Sequence, residues 1–243
     1  MTLHLEAVTY DVASAADLDT AVTFWAGLLG RDPVAGQASG PALSALLPGP
    51  DHEVGLRFEV PDDADGPALR STRDLHLHLT TRDDDDRRAV LERAASLGAR
   101  PLDVGQLPEE EHVVLGDPGG RAFCVIEPGN GYLVGTGFLG EVACDGTRAV
   151  GEFWSTALGW PLVWDQDGET VVQAPAGGTK VAWGGEPVEP KHGRNPQRLD
   201  LVTDEPEREV ARLVDLGARA LPTRAGWLEL ADPDGNELRL RPA

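Results

Sequence analysis

The sequence predicts an α+β protein assembled from four copies of a βαβββ unit, two in each half of the chain. Internal repetition is the first observation behind this reading. Phe24-Trp25-Ala26-Gly27-Leu28-Leu29-Gly30 returns as Phe153-Trp154-Ser155-Thr156-Ala157-Leu158-Gly159, and Leu97-Gly98-Ala99-Arg100 returns as Leu216-Gly217-Ala218-Arg219. Asp117-Pro118-Gly119-Gly120 likewise returns as Asp232-Pro233-Asp234-Gly235. The second observation is that the order of the phrases is kept while their separation shrinks from 129 to 119 to 115 residues, as when loops shorten between fixed elements. The third is that short apolar runs alternate with helical patterns inside each half. The halves divide into domains at 1–130 and 131–243, across the turn-rich Gly129-Asn130-Gly131.

The elements follow in order. A strand at Leu5 to Tyr10, matched by Leu139 to Ala143, leads into a helix for which Ser14 and Asp17 give a capping signal. Leu18, Val22, Trp25 and Leu29 line one face of that helix, and Gly30 stops it. Short strands follow, including Val54 to Val60. The second unit opens on a strand at Leu75, continues into a helix over Asp83 to Leu97 ended by Gly98, and closes on strands Glu111 to Leu115 and Ala122 to Ile126. The Asp117-Pro118-Gly119-Gly120 turn joins those last two strands.

Composition limits the function. The chain has 243 residues, 41% of them apolar, enough for a substantial core. Its 41 acidic and 21 basic residues give a net charge of −20, which repels phosphate backbones and anionic membranes, so neither nucleic acid nor membrane is an expected partner. The first residues carry no basic region or sustained apolar run, so a soluble, cytoplasmic protein is expected. Cys124 and Cys144 are the only cysteines and have no Cys-x-x-Cys spacing, which points away from a disulfide framework or a thiolate zinc site.

With this layout, the phrases Phe-Trp-x-x-x-Leu-Gly, Leu75-His76-Leu77-His78-Leu79 and Asp232-Pro233-Asp234-Gly235-Asn236-Glu237 resemble the vicinal oxygen chelate superfamily, which includes glyoxalase I, bleomycin-resistance proteins and extradiol dioxygenases. The nearest resemblance is to glyoxalase-like domains occurring twice in one chain, and it covers nearly all residues. It implies two glyoxalase-like domains in which paired units curl mixed sheets into half-open cups. Metal-using members place ligands on the first and last strands of each unit. His76 matches the family's histidine in its spacing to Asp83, but the position four residues beyond the turn glycine, where a carboxylate is usual, holds Cys124 in one half and Arg239 in the other.

His76 and His78 share a strand face, with Cα atoms roughly 6.6 Å apart. Two imidazoles need a third protein ligand for a catalytic metal, and Glu59 is the first candidate with Glu6 next. The alternative is that both histidines are polar groups on the cup wall, satisfied by neighbouring acids or by ligand. Cys124 reads as a soft ligand or nucleophile, or as a small buried hydrophobe. In the second half Arg198 stands at the place of His76, and with Arg239 it would repel a cation and hold an anionic or carbonyl-bearing group, or pair with acids such as Asp200 and Glu237. Trp183 and Trp227 lie on expected strands and are candidates to wall an aromatic pocket, with His112 at the first-half position of Trp227.

The sequence thus supports a binder of a small aromatic or carbonyl-bearing molecule, contacted by His78, His112, Cys124, Trp183, Arg198, Trp227 and Arg239, with no cofactor. The alternative is a lyase, isomerase or dioxygenase holding a divalent metal (Zn, Fe, Mn or Ni) at His76 with Glu59 or Glu6. A third possibility is an interaction module with relic cups. The repeated halves suit either a monomeric pseudo-dimer or a homodimer.

Overall fold

A computed structural model describes residues 3–35, 43–50, 52–61, 75–107, 109–224 and 226–243. Four βαβββ units follow one another. The first comprises β1 (His4–Asp11), α1 (Ala15–Leu29), β2 (Val34–Ala35), β3 (Ser44–Leu47) and β4 (Gly55–Glu59). The second comprises β5 (Leu75–Leu79), α2 (Asp84–Ser96), β6 (Arg100–Pro101), β7 (Val113–Gly116) and β8 (Ala122–Val125). The third comprises β9 (Leu139–Cys144), α3 (Arg148–Leu158), β10 (Leu162–Gln166), β11 (Glu169–Val172) and β12 (Lys180–Trp183). The fourth comprises β13 (Gln197–Thr203), α4 (Pro206–Asp215), β14 (Arg219–Ala220), β15 (Leu228–Ala231) and β16 (Glu237–Pro242).

Local chemistry explains the boundaries. Ser14 accepts from Asp17 N at the start of α1, and Gly30 ends the helix in the left-handed conformation at φ 67. Gly159 does the same for α3 at φ 66, so the glycine of the repeated Phe-Trp phrase is a backbone requirement. Asp83 caps α2 through Asp86 N, and Asp84, Asp85 and Asp86 fill its first turn, where their charge suits the helix dipole. The buried face of α1 is Leu18, Ala21, Phe24, Trp25 and Leu28, while Val22 and Leu29, expected on that face, are half-buried at its edge.

The units do not pair in sequence order. One eight-stranded sheet runs β14-β15-β16-β13-β1-β4-β3-β2, and the other runs β10-β11-β12-β9-β5-β8-β7-β6. The first sheet therefore joins units one and four through antiparallel β1 and β13, with Thr9 opposite Arg198, and the second joins units two and three through antiparallel β5 and β9, with His78 opposite Glu141. The boundary near residue 130 divides the sequence repeats, but each sheet, and so each cup, takes one unit from either side of it. Both cups are completed within one chain.

Alternation along the strands separates a core face from a cup face. Leu56, Phe58, Leu77, Leu79, Phe123, Val125, Val142, Leu199 and Leu201 point into an apolar cluster shared by both sheets and all four helices. Phe24, Trp25 and Phe123 meet there with ring centroids 5.2 to 5.8 Å apart. The buried indole of Trp25 donates to Asp117 at 3.0 Å, and that of Trp154 donates to Asp232 at 3.3 Å. These bonds link the two repeated phrases: the helix of each half's first unit is tied to the terminal turn of its second. No helix among the described residues is long and apolar enough to cross a membrane.

A fragment of residues 1–130 lacks β9 and β13, the strands that β5 and β1 pair with at the centres of their sheets. It is expected to be unfolded or self-associated, because each of its units would expose the edge that pairing covers. A melt by circular dichroism with sedimentation checks this, and a cooperatively melting monomer would contradict the interleaved arrangement.

Candidate functional site

The cup face of the first sheet is filled with charge. Arg57, Arg198, Arg239 and Arg241 are all buried there, as are Glu59 and Asp200. Arg239 donates to Asp200 Oδ1 and Oδ2 at 2.9 and 2.8 Å and to Glu59 Oε1 at 2.7 Å. Arg57 reaches Asp200 at 3.0 Å and Glu6 at 2.6 Å, Arg198 reaches Asp11 at 2.8 Å and also pairs with Glu59, and Arg241 pairs with Glu6. Thr9 Oγ1 donates to Asp200 and accepts from Arg239 at 3.1 Å. Glu6 sits where the pairing of β1 with β13 shifts register, an irregularity that re-aims its side chain from the core to the cup. Trp227 lies beneath the guanidiniums of Arg239, Arg57 and Arg241, at 4.3, 5.4 and 5.5 Å.

Burial opposes charge on Asp200, but the guanidiniums of Arg239, Arg57 and Arg198 outweigh it and hold the carboxyl below its ordinary value. Burial likewise opposes charge on Arg198, and the carboxylates of Glu59 and Asp11 outweigh it. Arg198 and Arg239 pair with acids, sharing Glu59, with Asp11 the second partner of Arg198 and Asp200 that of Arg239, while Glu237 pairs with Lys191 instead.

The second sheet is built differently. One row of cup-facing residues runs Lys180, Glu141, His78, Cys124 and Val114 across adjacent strands. Glu141 Oε2 lies 2.6 Å from His78 Nδ1. His76 lies beside His78 with ring centroids 4.9 Å apart and planes tilted by 56°, and the ligand atoms of His76, His78 and Cys124 lie within 4.8 Å of one another. Burial and the nearby His78 and His112 push His76 down to about 4, which leaves a neutral imidazole. For His78 burial acts in the same sense, but hydrogen bonds to Cys124 and Glu141 and the Glu141 charge overcome it and push the group up to about 9. Two imidazoles and a thiol suit a borderline divalent ion in donor type, and a carboxylate on Nδ1 is the usual device for orienting a ligating histidine. Donors of a tetrahedral zinc site stand roughly 3.5 Å apart, within the 4.8 Å that bounds these three atoms.

Above this row opens a cavity of about 410 Å³ lined by His78, His112, Tyr132, Glu141, Trp164 and Glu169 among others. A second, of about 290 Å³, shares Tyr132 and Trp164 and reaches Lys180 and Val171. The stretch joining the two sequence halves makes one wall. Asn130 caps a short 3-10 turn over Gly131–Leu133 by accepting from Tyr132 N and Leu133 N, and its amide donates to Glu127 at 2.6 Å. Tyr132 meets Trp164 edge to face at 5.5 Å and donates its hydroxyl to Glu169 at 3.3 Å. Lys180 is buried with its ammonium over the Tyr132 ring and bonded to the Tyr132 carbonyl.

The residues singled out from sequence thus divide between two places. His76, His78, His112 and Cys124 gather at the second sheet. Glu59 and Glu6 do not join the histidines: they stand on the first sheet, committed to arginines, because β1 and β4 belong to the other cup. Arg198, Arg239 and Trp227 are in that first cup as well, while Trp183 faces the core, stacked on Trp154 at 6.2 Å. Sequence reasoning missed Glu141, Tyr132, Trp164, Glu169 and Lys180. Glu141 carried a signal, being the one acid in the otherwise apolar run Leu139-Gly140-Glu141-Val142-Ala143.

Asp200→Ala would leave Arg57 and Arg239 facing each other in a buried layer. It is expected to destabilise the chain by about 3–5 kcal/mol, with Asp200→Asn close behind. Urea unfolding measures this, and a loss below about 1 kcal/mol would mean that the network does not hold the cup.

The model of the glyoxalase-like domain family matches residues 7–126 and 141–241. No curated protein matches the sequence. Among solved structures, glyoxalase I from Zea mays shares 17% identity, with 98% of this chain and 92% of that chain covered and a TM-score of 0.61. A mutant of the Zea mays enzyme gives 18%, 98%, 92% and 0.65, and a putative dioxygenase from Bacillus subtilis gives 12%, 99%, 85% and 0.64. At such identities the structural likeness speaks for the fold alone, while the family match spans nearly the whole chain. Two repeats, paired βαβββ units and that match together establish that this chain belongs to the glyoxalase-like domain family.

Proposed function

We propose that the chain binds a small organic molecule in the cup of the second sheet, and that binding requires no metal. The observation that carries this reading is the cavity of about 410 Å³ bounded by Tyr132, Trp164, His78 and Glu141, with contributions from both sequence halves. Its size suits a ligand of one or two rings. The Trp164 and Tyr132 rings supply apolar contact, and Glu141, Glu169 and His112 supply polar contacts at fixed places. In the first cup the corresponding face is taken up by arginines and carboxylates bonded to one another.

A metal-dependent enzyme is the second reading, favoured by one specific observation. His76, His78 and Cys124 converge, and Glu141 engages the far nitrogen of His78. These three residues would hold a divalent ion, with Glu141 orienting His78. Such an ion would polarise an oxygen of the bound molecule. This set replaces the combination of His76 with Glu59 or Glu6.

The two readings part on one experiment. Protein purified without chelator or metal-affinity resin is expected to contain well under one equivalent of metal by mass spectrometry. Ligand-induced quenching of tryptophan fluorescence is expected to survive EDTA and to be largely lost in Trp164→Phe. Near-stoichiometric metal that disappears in His76→Ala would overturn the metal-free reading in favour of the second.

A further inference from the structure

The second cup has an unbalanced charge, and we infer that its ligand is a small organic cation, an amine carried on an aromatic or other flat apolar group. The inference rests on the cup being a ligand site and specifies what that site selects. Glu109, Glu111, Glu127, Glu141 and Glu169 line the cavity, and among the described residues the basic groups lining it are His78 and His112. Even with both imidazoles protonated, five carboxylates face two positive charges. Lys180, opposite Glu141 on the next strand and bonded to the Tyr132 carbonyl, borders the neighbouring cavity and adds a third positive charge, which the five carboxylates still outnumber.

The acids alone would be unremarkable on a chain of net charge −20. Glu141 differs from a solvated acid. It is only 2% exposed, one of its oxygens holds His78, and the other, Oε1, is buried without a hydrogen-bond partner, the neighbouring Tyr132 hydroxyl being directed to Glu169. A buried carboxylate oxygen with no donor carries a substantial desolvation cost, which an N–H from a bound ammonium would remove. The aromatic pair Trp164 and Tyr132 stands on the same wall and offers ring faces or edges to the apolar body of the ligand, with cation–π attraction added where the charge meets a ring face. Carboxylates around the opening, Glu109 and Glu111 being exposed, raise the local concentration of cations and disfavour anions.

Calorimetric titration with three probes of one shape provides the test: 1-naphthylmethylamine, 1-naphthylmethanol and 1-naphthoate, all in EDTA at pH 7. The amine, protonated at that pH, is expected to bind at least tenfold more tightly than the alcohol, and the carboxylate is expected not to bind detectably. Raising the salt from 50 to 500 mM should weaken the amine alone, because screening acts on the charge. Glu141→Gln keeps the shape of the side chain and is expected to abolish the preference for the amine over the alcohol. Glu169→Gln, further from His78, is expected to reduce it, and a thermal melt of each variant shows that the fold is kept. If the alcohol or the carboxylate bound as well as the amine, the charge inference would fall while the cup remained a ligand site. If none of the three gave heat at millimolar concentration, both the inference and the site reading beneath it would be contradicted.

Discussion

Buried charge has to be matched, and the two cups of this chain meet that requirement in opposite ways. In the first, four arginines and four carboxylates on β1, β4, β13 and β16 balance in charge, so that Asp200 accepts from Arg57, Arg239 and Thr9 together, while Glu59 Oε2 and the Nε and Nη1 of Arg198 keep no hydrogen-bond partner. Removing charged side chains from water costs several kcal/mol each, and only such dense pairing offsets it. In the second, Glu141 is matched on one oxygen by His78 and left unmatched on the other, beside a cavity rimmed by further acids. The charges of one cup are thereby balanced within the protein, and under the proposed function the excess negative charge of the other is balanced by the ligand.

The scaffold allows this divergence because its apolar side carries the fold. The longer strands send alternate residues into a common core, and the Trp25–Asp117 and Trp154–Asp232 bonds clamp each half in the same manner. Cup-facing positions are then free to differ. Asp200 and His78 occupy corresponding places on β13 and β5, as do Arg239 and Cys124 on β16 and β8. Exchanging an aspartate–arginine pair for a histidine–cysteine pair turns a structural ion network into a half-open polar site without altering the strands beneath.

Much of the fold was legible in the sequence because its determinants are local. Capping by Ser14 and Asp83, left-handed glycines at Gly30 and Gly159 and alternation along Leu75-His76-Leu77-His78-Leu79 each act over a few residues. The pairing of β1 with β13 and of β5 with β9 was not legible, since nothing in a strand's own residues names a partner more than sixty positions away. That gap had a direct consequence for the site. Glu59 and Glu6 were natural partners for His76 while the first two units were taken to share a cup, and the observed pairing gives the histidines Glu141 instead. The tryptophans are divided for a related reason: Trp183 packs on Trp154 at the core face of β12, where both border a small pocket, Trp227 lies beneath arginines, and Trp164, on the edge strand β10, lines the cavity of the second cup.

Whether the second cup and not the first receives the ligand can be read from the indole N–H resonances of the tryptophans. On addition of 1-naphthylmethylamine to ¹⁵N-labelled protein, the Trp164 signal is expected to shift progressively with saturation while those of Trp227 and Trp183 stay in place. A saturable shift of Trp227 with Trp164 unmoved would put the ligand among the arginines of the first cup and contradict the account.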